Sequence, residues 1–183
     1  YDRPYISTAM LGENTEKVLT FQSCSKTYAM TGWRIGYTAG DEKVIQAMGK
    51  LQGQSTSCPC SIAQVAATEA LIGDQSEVAI MRNVFKKRRD YIVNRLNKMN
   101  GVHCDNPGGA FYVFPDFSTL MGSNKKIQSS NDLSMYLLEQ KAVVTVAGKA
   151  FGSDGNVRFS YAASDEDLSR AMDLLEETLT ELE

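Results

Sequence analysis

The chain has 183 residues, a hydrophobic fraction of 43%, a charged fraction of 22% and a formal net charge of −3. These values are typical of a globular protein that buries a sizeable core, and they exclude a disordered chain. The small acidic excess argues against a nucleic-acid partner. No apolar run approaches the roughly 18 residues of a membrane-spanning helix, and no signal peptide is recognisable. We therefore expect a cytoplasmic protein without a membrane partner.

The first part of the chain predicts strands followed by helices. Residues 17–23 form a short β-prone apolar run, and residues 33–39 alternate apolar and polar side chains, so both predict strands. An alanine-rich segment over 62–73 predicts a compact helix that ends at a glycine. A helix is also predicted over 41–54, where acidic residues open the segment and three apolar residues share one face, namely Val44, Met48 and Leu51.

Two longer segments have the periodicity of amphipathic helices. Residues 76–100 predict a helix of about 35 Å at ~1.5 Å per residue, long enough to connect two domains. Its basic run, Lys86 to Arg89, is interpreted as a solvated helix face. The last helix opens with a capping-box spacing between Ser164 and Asp167. Its apolar stripe predicts core packing by Leu168, Met172, Leu175, Leu179 and Leu182.

Residues 101–183 differ in texture from the preceding part and predict a smaller α+β unit. Residues 101–117 predict a strand, a Pro-Gly-Gly turn and a second strand. A helix is predicted over 131–140, and strands are predicted over 142–148 and 156–162. There are no internal repeats or low-complexity segments, so the chain is expected to fold as ordinary globular units.

The four cysteines do not follow a zinc-binding pattern. Cys58 and Cys60 bracket a single proline, and Cys104 lies next to the only histidine. Free thiols in a reducing compartment are the plain interpretation, and we expect no metal. Cys24 is read as a small buried filler, with a reactive thiolate as the alternative.

The segment "SCSKTYAMTGWRIGY", from Ser23 to Tyr37, carries the most chemical information. An arginine can grip a phosphate through two parallel hydrogen bonds, and serine hydroxyls can assist it, so Ser23, Ser25 and Arg34 suit a phosphate site. A nearby cation favours the neutral, nucleophilic form of a lysine such as Lys26. The alternative, favoured by composition alone, is a polar strand edge on which the lysine pairs with an acid.

This segment resembles the signature of the class I and II aminotransferases, in which Ser-x-Ser-Lys is followed by Gly-x-Arg-x-Gly. The resemblance implies that Lys26 forms a Schiff base with pyridoxal 5′-phosphate and that Arg34 holds the cofactor phosphate. Ser23 is implied as a further phosphate ligand and Ser25 as a weaker one. Residue types and both spacings agree over the whole segment.

Other segments resemble the same family in the same order along the chain. "YDRPY" is similar to the stretch that follows the family's ring-nitrogen aspartate, which implies that Tyr1 bonds the ring oxygen of the cofactor. "NVRFSYA" supplies Arg158, whose family counterpart grips the substrate α-carboxylate. Without the resemblance, a structural salt bridge is the commoner role for such a strand arginine. Two departures are Cys58, in place of an asparagine, and Ala147, in place of a proline.

The resemblance implies an α/β protein with the fold of type I pyridoxal-phosphate-dependent transferases. It covers the C-terminal half of the large domain, at 1–75, a connecting helix at 76–100 and the α+β small domain at 101–183. The family's N-terminal half supplies the aspartate and other cofactor ligands. We therefore expect this chain alone to bind the cofactor poorly and to be inactive. The full-length protein is expected to be a homodimer.

The implied reaction moves an amino group between an amino acid and a 2-oxo acid, with an aspartate-like substrate as the leading expectation. Gly53 stands where one branch of the family has an arginine for a distal carboxylate, so that device is absent. Two alternatives stay open. One is a β-lyase or synthase on the same scaffold, and the other is a non-catalytic, ligand-sensing regulator with an aminotransferase-like domain.

Overall fold

The computed structural model of the protein describes residues 1–11, 15–123 and 126–182. In these residues, helices are combined with a two-stranded and a three-stranded antiparallel sheet. None of the described helices has both the length and the apolar character needed to cross a membrane. The backbone divides into two compact units, of which one is Pro4–Met81 and the other is the remainder of the chain. We call them the hairpin unit and the C-terminal unit, and the three domain boundaries expected from the sequence stay a prediction.

The hairpin unit is built on one antiparallel strand pair, in which β1 (Thr20–Ser23) runs against β2 (Gly36–Ala39). Both strands lie where the sequence predicts them, but both begin later. A 3-10 turn at Thr15–Lys17 occupies the expected start of β1, and another at Thr31–Trp33 occupies that of β2. These turns take up backbone groups that a longer strand would need for its ladder.

Three helices complete the hairpin unit: α1 (Cys24–Thr27), α2 (Glu42–Ser55) and α3 (Ser61–Ile72). α2 and α3 confirm the helices predicted from sequence. The carboxylate of Asp41 accepts two hydrogen bonds from N–H groups in the first turn of α2, at 3.0 and 3.2 Å. Such a cap satisfies donors that a helix start otherwise leaves unpaired.

The core of the hairpin unit is small. Its buried members are Cys24, Met30, Ile35, Ala63 and Ala67, so the interpretation of Cys24 as a buried filler is confirmed. Many larger apolar side chains of the unit face solvent instead. Their exposed fractions are 64% for Phe21, 74% for Leu51, 69% for Ile62, 71% for Val65 and 77% for Ile72.

The helices of the remaining chain are α4 (Ser76–Leu96), α5 (Ser118–Ser123), α6 (Ser130–Lys141) and α7 (Asp165–Leu182). The sequence predicts all of them except α5, which is a short helix rich in serine. The Ser164 hydroxyl accepts from the Asp167 N–H at 3.0 Å and donates to the Asp167 carboxylate at 2.7 Å. This pair confirms the predicted cap of α7. The predicted apolar stripe is also buried.

The C-terminal unit contains a three-stranded sheet, in which β5 (Val157–Ser160) lies between β3 (Tyr112–Val113) and β4 (Val146–Ala147). β4 is much shorter than the predicted strand over 142–148. Ala142 ends α6 in the left-handed conformation, with φ 54°, and its N–H bonds back to the helix. The chain therefore turns before it can extend.

The strand, turn and strand predicted over 101–117 are confirmed only in part, because the second strand forms as β3 but the first strand does not form. That first strand is reduced to a single bridge between His103 and Asp116. The backbone N–H and C=O of Cys104 bond instead to the side-chain amide of Asn97, at 2.9 and 2.8 Å. An asparagine side chain thus replaces the partner strand, and β3 pairs with β5.

The interpretation of Lys86 to Arg89 as a solvated face is also wrong for its last residue. The Arg89 side chain is 3% exposed and bonds the carboxylates of Asp2 and Asp90, at 2.9 and 2.7 Å. It also donates to the Pro107 carbonyl oxygen at 3.0 Å. A buried guanidinium needs such partners, so this arginine anchors the start of the chain to the C-terminal unit.

We expect the buried thiol of Cys104 to make the free energy of unfolding depend on pH in the alkaline range. Burial raises the pKa of this thiol from 9.0 to about 11. The unfolded chain therefore releases the proton first, and stability falls as pH rises between these values. Between pH 8 and 11, the free energy of unfolding should fall by about 2 kcal/mol more in the unchanged chain than in Cys104→Ala. Urea unfolding at each pH measures this difference. Cys58→Ala, at an exposed thiol, should keep the slope, and an equally steep slope in Cys104→Ala would contradict the assignment.

Candidate active site

The predicted phosphate and lysine motif forms the turn between β1 and β2. Ser23 ends β1 opposite Gly36 of β2, and its hydroxyl accepts a hydrogen bond from the Ser25 N–H at 3.1 Å. This bond caps α1, the single helical turn that carries Lys26. The side chain of Lys26 is exposed. The strand pairing and the cap together fix the backbone position of Lys26.

Arg34 has an uncommon backbone conformation that directs its side chain. Its φ of 51° lies in the left-handed region, which costs a non-glycine residue about 1–3 kcal/mol. Its Nη1 donates to the Thr31 carbonyl oxygen at 3.0 Å, and the next residue, Ile35, is buried. At Gly36 a Cβ would lie 2.6 Å from the Gln22 carbonyl oxygen. Only glycine therefore fits at this end of the motif.

Ser23, Ser25 and Arg34 line one concavity of about 200 Å³, together with Ile35 and Gly36. Two hydroxyls and a guanidinium supply hydrogen-bond donors, and none of these lining residues carries a carboxylate. A phosphate monoester presents several strong acceptor oxygens and a negative charge, so it matches this donor set. The residues present thus fit the cofactor phosphate that the sequence resemblance implies.

Arg158 lies on β5, the central strand of the three-stranded sheet. Val157 and Phe159 are buried, so strand alternation places the arginine side chain on the opposite face. Its guanidinium carbon lies 4.4 Å from the ring centroid of Tyr112 and 4.8 Å from that of Phe151. No ion pair or side-chain hydrogen bond of this guanidinium occurs within the described residues. The structural salt bridge, which is the commoner role for such an arginine, is not formed there.

Tyr1 lies in the C-terminal unit, where its phenol donates to the Ala110 carbonyl oxygen. The hydroxyl of Tyr161 lies 3.0 Å from that of Tyr1 and donates to the same carbonyl at 2.9 Å. The guanidinium carbon of Arg89 lies 4.7 Å from the centroid of the Tyr1 ring. Burial, together with the hydrogen bond to Tyr1, raises the pKa of Tyr161. The Tyr161 phenol is therefore held in the protonated form.

The six predicted site residues are divided between the two units. The structure brings three of them together around one concavity and places Lys26 on the adjoining helical turn, whereas Arg158 and Tyr1 belong to the C-terminal unit. Sequence reasoning missed the residues that contact the last two, namely Tyr112, Phe151, Tyr161 and Arg89. The sequence contains two signals for them, the aromatic run "AFYVF" and the phenylalanine of "VAGKAFG". Neither can be assigned to the site until the strand pairing is known.

Comparison with known proteins places these features in a family. The family model "Aminotransferase class I and II" matches residues 2–175. The chain is 50% identical over 160 residues to the aspartate/prephenate aminotransferase of Cereibacter sphaeroides, a match that covers 85% of this chain and 40% of the relative. It is 44% identical over 161 residues to the aspartate aminotransferase of Rhizobium meliloti, covering 86% of this chain and 39% of that protein.

Solved structures give the same result for the fold. The crystal structure of the Rhizobium meliloti aspartate aminotransferase matches with a TM-score of 0.94 and 39% identity, over 100% of this chain and 47% of that one. The aromatic aminotransferase of Pyrococcus horikoshii matches with a TM-score of 0.90 and 37% identity, over 99% and 48% of the two chains. The chain spans less than half the length of these relatives. It belongs to the class I and II aminotransferase family and has the fold of the type I pyridoxal-phosphate-dependent aminotransferases.

Proposed function

We propose that the chain is the C-terminal part of a pyridoxal-phosphate-dependent aminotransferase, and that it supplies the reactive lysine, the phosphate ligands and the carboxylate ligand. The observation that carries this proposal is the concavity lined by Ser23, Ser25 and Arg34, with Lys26 on the adjoining helical turn. A phosphate site next to a lysine is the combination that this cofactor needs. Membership of the family supports the same assignment.

Pyridoxal phosphate, when bound, supplies an aldehyde for the lysine amine and an electron-poor ring that stabilises negative charge at the substrate α-carbon. Ser23 and Ser25 donate hydroxyl hydrogen bonds to the phosphate, and Arg34 adds a guanidinium fork. The bond from Arg34 to Thr31 restrains that fork before any ligand arrives. The amine of Lys26 acts first as a nucleophile and then as the base and acid that move the substrate α-proton.

Arg158 is proposed to bind the α-carboxylate of the amino acid or 2-oxo acid. The planar guanidinium matches a carboxylate through two parallel hydrogen bonds, which a lysine cannot make. Its donors have no partner within the described residues, so a substrate carboxylate can use them. Tyr1 is proposed to bond the ring oxygen of the cofactor. Because its phenolic proton is donated to Ala110 here, that contact requires the hydroxyl to rotate.

For the full-length protein we propose an aspartate-like amino donor, a 2-oxo acid acceptor, a homodimeric assembly and a cytoplasmic location. The names of the relatives, aspartate/prephenate aminotransferase and aspartate aminotransferase, support this substrate class. Gly53 occupies the position at which one branch of the family has an arginine for the distal carboxylate. Recognition of that carboxylate is therefore assigned to residues outside this chain.

Borohydride reduction tests the assignment of Lys26. We expect the full-length protein, incubated with pyridoxal phosphate and reduced, to carry a stable phosphopyridoxyl group on Lys26 when its peptides are analysed by mass spectrometry. Lys50, an exposed lysine of α2, is the internal control and should stay unmodified. The isolated 183-residue chain should be labelled only weakly, because the other cofactor ligands implied by the resemblance lie outside it. Equal labelling of the two lysines would overturn the proposal.

A further inference from the structure

Within the described residues Arg158 contacts aromatic rings and no acid, whereas Arg89 and Arg95 lie near a ring and also pair with acids. Arg89 pairs with Asp90, and Arg95 pairs with Asp173 and Glu176. Those carboxylates occupy the N–H groups of their arginines. A ring face attracts a guanidinium through its quadrupole and leaves the N–H groups in the guanidinium plane available. The rings therefore restrain the Arg158 side chain and leave its N–H groups available to a ligand.

The position of Tyr112 follows from the register of the sheet. Tyr112 on β3 lies opposite Ser160 on β5, and Arg158 is two residues before Ser160 on the same strand. Side chains two residues apart on a strand share a face, so Tyr112 and Arg158 are diagonal neighbours. A long aromatic side chain reaches such a neighbour. The 4.4 Å separation from the ring centroid is thus built into the strand pairing.

The position of Phe151 follows from the 3-10 turn that joins β4 to β5. The hydroxyl of Ser130, which is fully buried, accepts from the Lys149 N–H at 3.1 Å and donates to Asp154 at 2.7 Å. At Gly148 a Cβ would overlap backbone carbonyl oxygens on the other side of the turn. These contacts restrain the backbone of the turn, and the ring of Phe151, although half exposed, lies against Arg158.

We infer that Tyr112 and Phe151 are positioning residues that hold the Arg158 fork ready for the carboxylate of the amino acid or 2-oxo acid. This inference rests on the proposed function, in which Arg158 is the carboxylate ligand. An unrestrained arginine loses many rotamers when it binds a ligand, and this loss lowers affinity. The two rings remove those rotamers beforehand, so the carboxylate meets a fork that is already oriented.

Carboxylate binding to the chain itself tests the inference without the cofactor. The Arg158 Nε–Hε resonance of the ¹⁵N-labelled chain, identified by its loss in Arg158→Lys, is followed during titration with succinate. We expect Phe151→Leu and Tyr112→Leu each to raise the dissociation constant for succinate about threefold to tenfold. Tyr112→Phe keeps the ring face and should bind as the unchanged chain does. In the full-length protein, Phe151→Leu should raise KM for the amino acid and leave kcat within about twofold.

Phe114→Leu is the matched control, because the Phe114 ring packs edge-on against that of Phe151, at 5.9 Å between centroids, and is not stacked on Arg158. It should change succinate binding less than about twofold, a change within the range of weak surface effects. A loss as large as that in Phe151→Leu, unchanged binding in both leucine variants, or no response of the Arg158 resonance in the unchanged chain would each overturn the inference. A ring-dependent response in a protein that does not transaminate would support the inference and overturn the proposed function.

Discussion

Replacing Lys26 with alanine in the full-length protein is expected to lower kcat for transamination at least about 10³-fold. In the proposed reaction one amine is both the nucleophile that meets the cofactor and the group that moves the α-proton. Alanine removes both functions at once, so the loss should exceed that of an ordinary acid–base residue. The measurement is the rate of 2-oxo acid formation from aspartate under saturating conditions.

Two further variants make this result specific. Lys26→Arg keeps the positive charge, but a guanidinium stays protonated and cannot act as a nucleophile or a base. This variant should therefore be as inactive as the alanine variant. Lys50→Ala, at an exposed lysine of α2, should keep full activity. A Lys26→Ala enzyme that retains more than about a tenth of kcat would not be compatible with a single essential amine. Such a result would mean that another group moves the α-proton.

The second large effect is expected at Gly148, in the turn that carries Phe151. A Cβ there would overlap the carbonyl oxygens of Ser153 and Asn156, and both belong to backbone that cannot move aside cheaply. The Gly148 N–H also bonds Asn156 O at 2.8 Å, so the close approach is part of the turn. We expect Gly148→Ala to destabilise the chain by about 3 kcal/mol and to lower Tm by about 6–12 °C, measured by calorimetry.

Gly49→Ala, the same substitution at another glycine, should have the opposite effect on stability. Gly49 lies inside α2, and nothing lies within 4 Å of the position of its added Cβ. Alanine is the better helix former, so the variant should gain about 0.5–1 kcal/mol. If Gly148→Ala were also stabilising, backbone entropy would outweigh the packing of the turn, and the expected overlap at Gly148 would be contradicted.

The helices could be predicted from sequence because their signals are local. Apolar periodicity and caps, such as Asp41 for α2 and the Ser164–Asp167 pair for α7, lie within a few residues of the elements that they define. Strand ends depend on partners that are distant in sequence. The side chain of Asn97 takes the backbone groups of Cys104, and nothing in the residues around Cys104 indicates this. The first strand of the predicted hairpin does not form for that reason.

The same distinction applies to the candidate site. Ser23, Ser25, Lys26 and Arg34 fall within one contiguous motif, so their grouping could be read directly and the structure places them in one turn. The surroundings of Arg158 come from different strands and turns. Tyr112 reaches it through the β3–β5 register, and Phe151 through the turn after β4. Contacts of this kind become visible only when strand pairing is known.

Because its core is small, the hairpin unit should unfold locally more easily than the C-terminal unit. Among the residues that the structure describes, the core of Pro4–Met81 has five buried apolar members, against eighteen in the cluster of the C-terminal unit. Since burial of apolar surface is the main favourable term, backbone amides around β1 and β2 should exchange with deuterium long before those of α6 and α7. The segment that carries the proposed site is thus the more weakly protected one. In the full-length protein we expect its rigidity to come from surfaces that cover Phe21, Ile62 and their exposed neighbours.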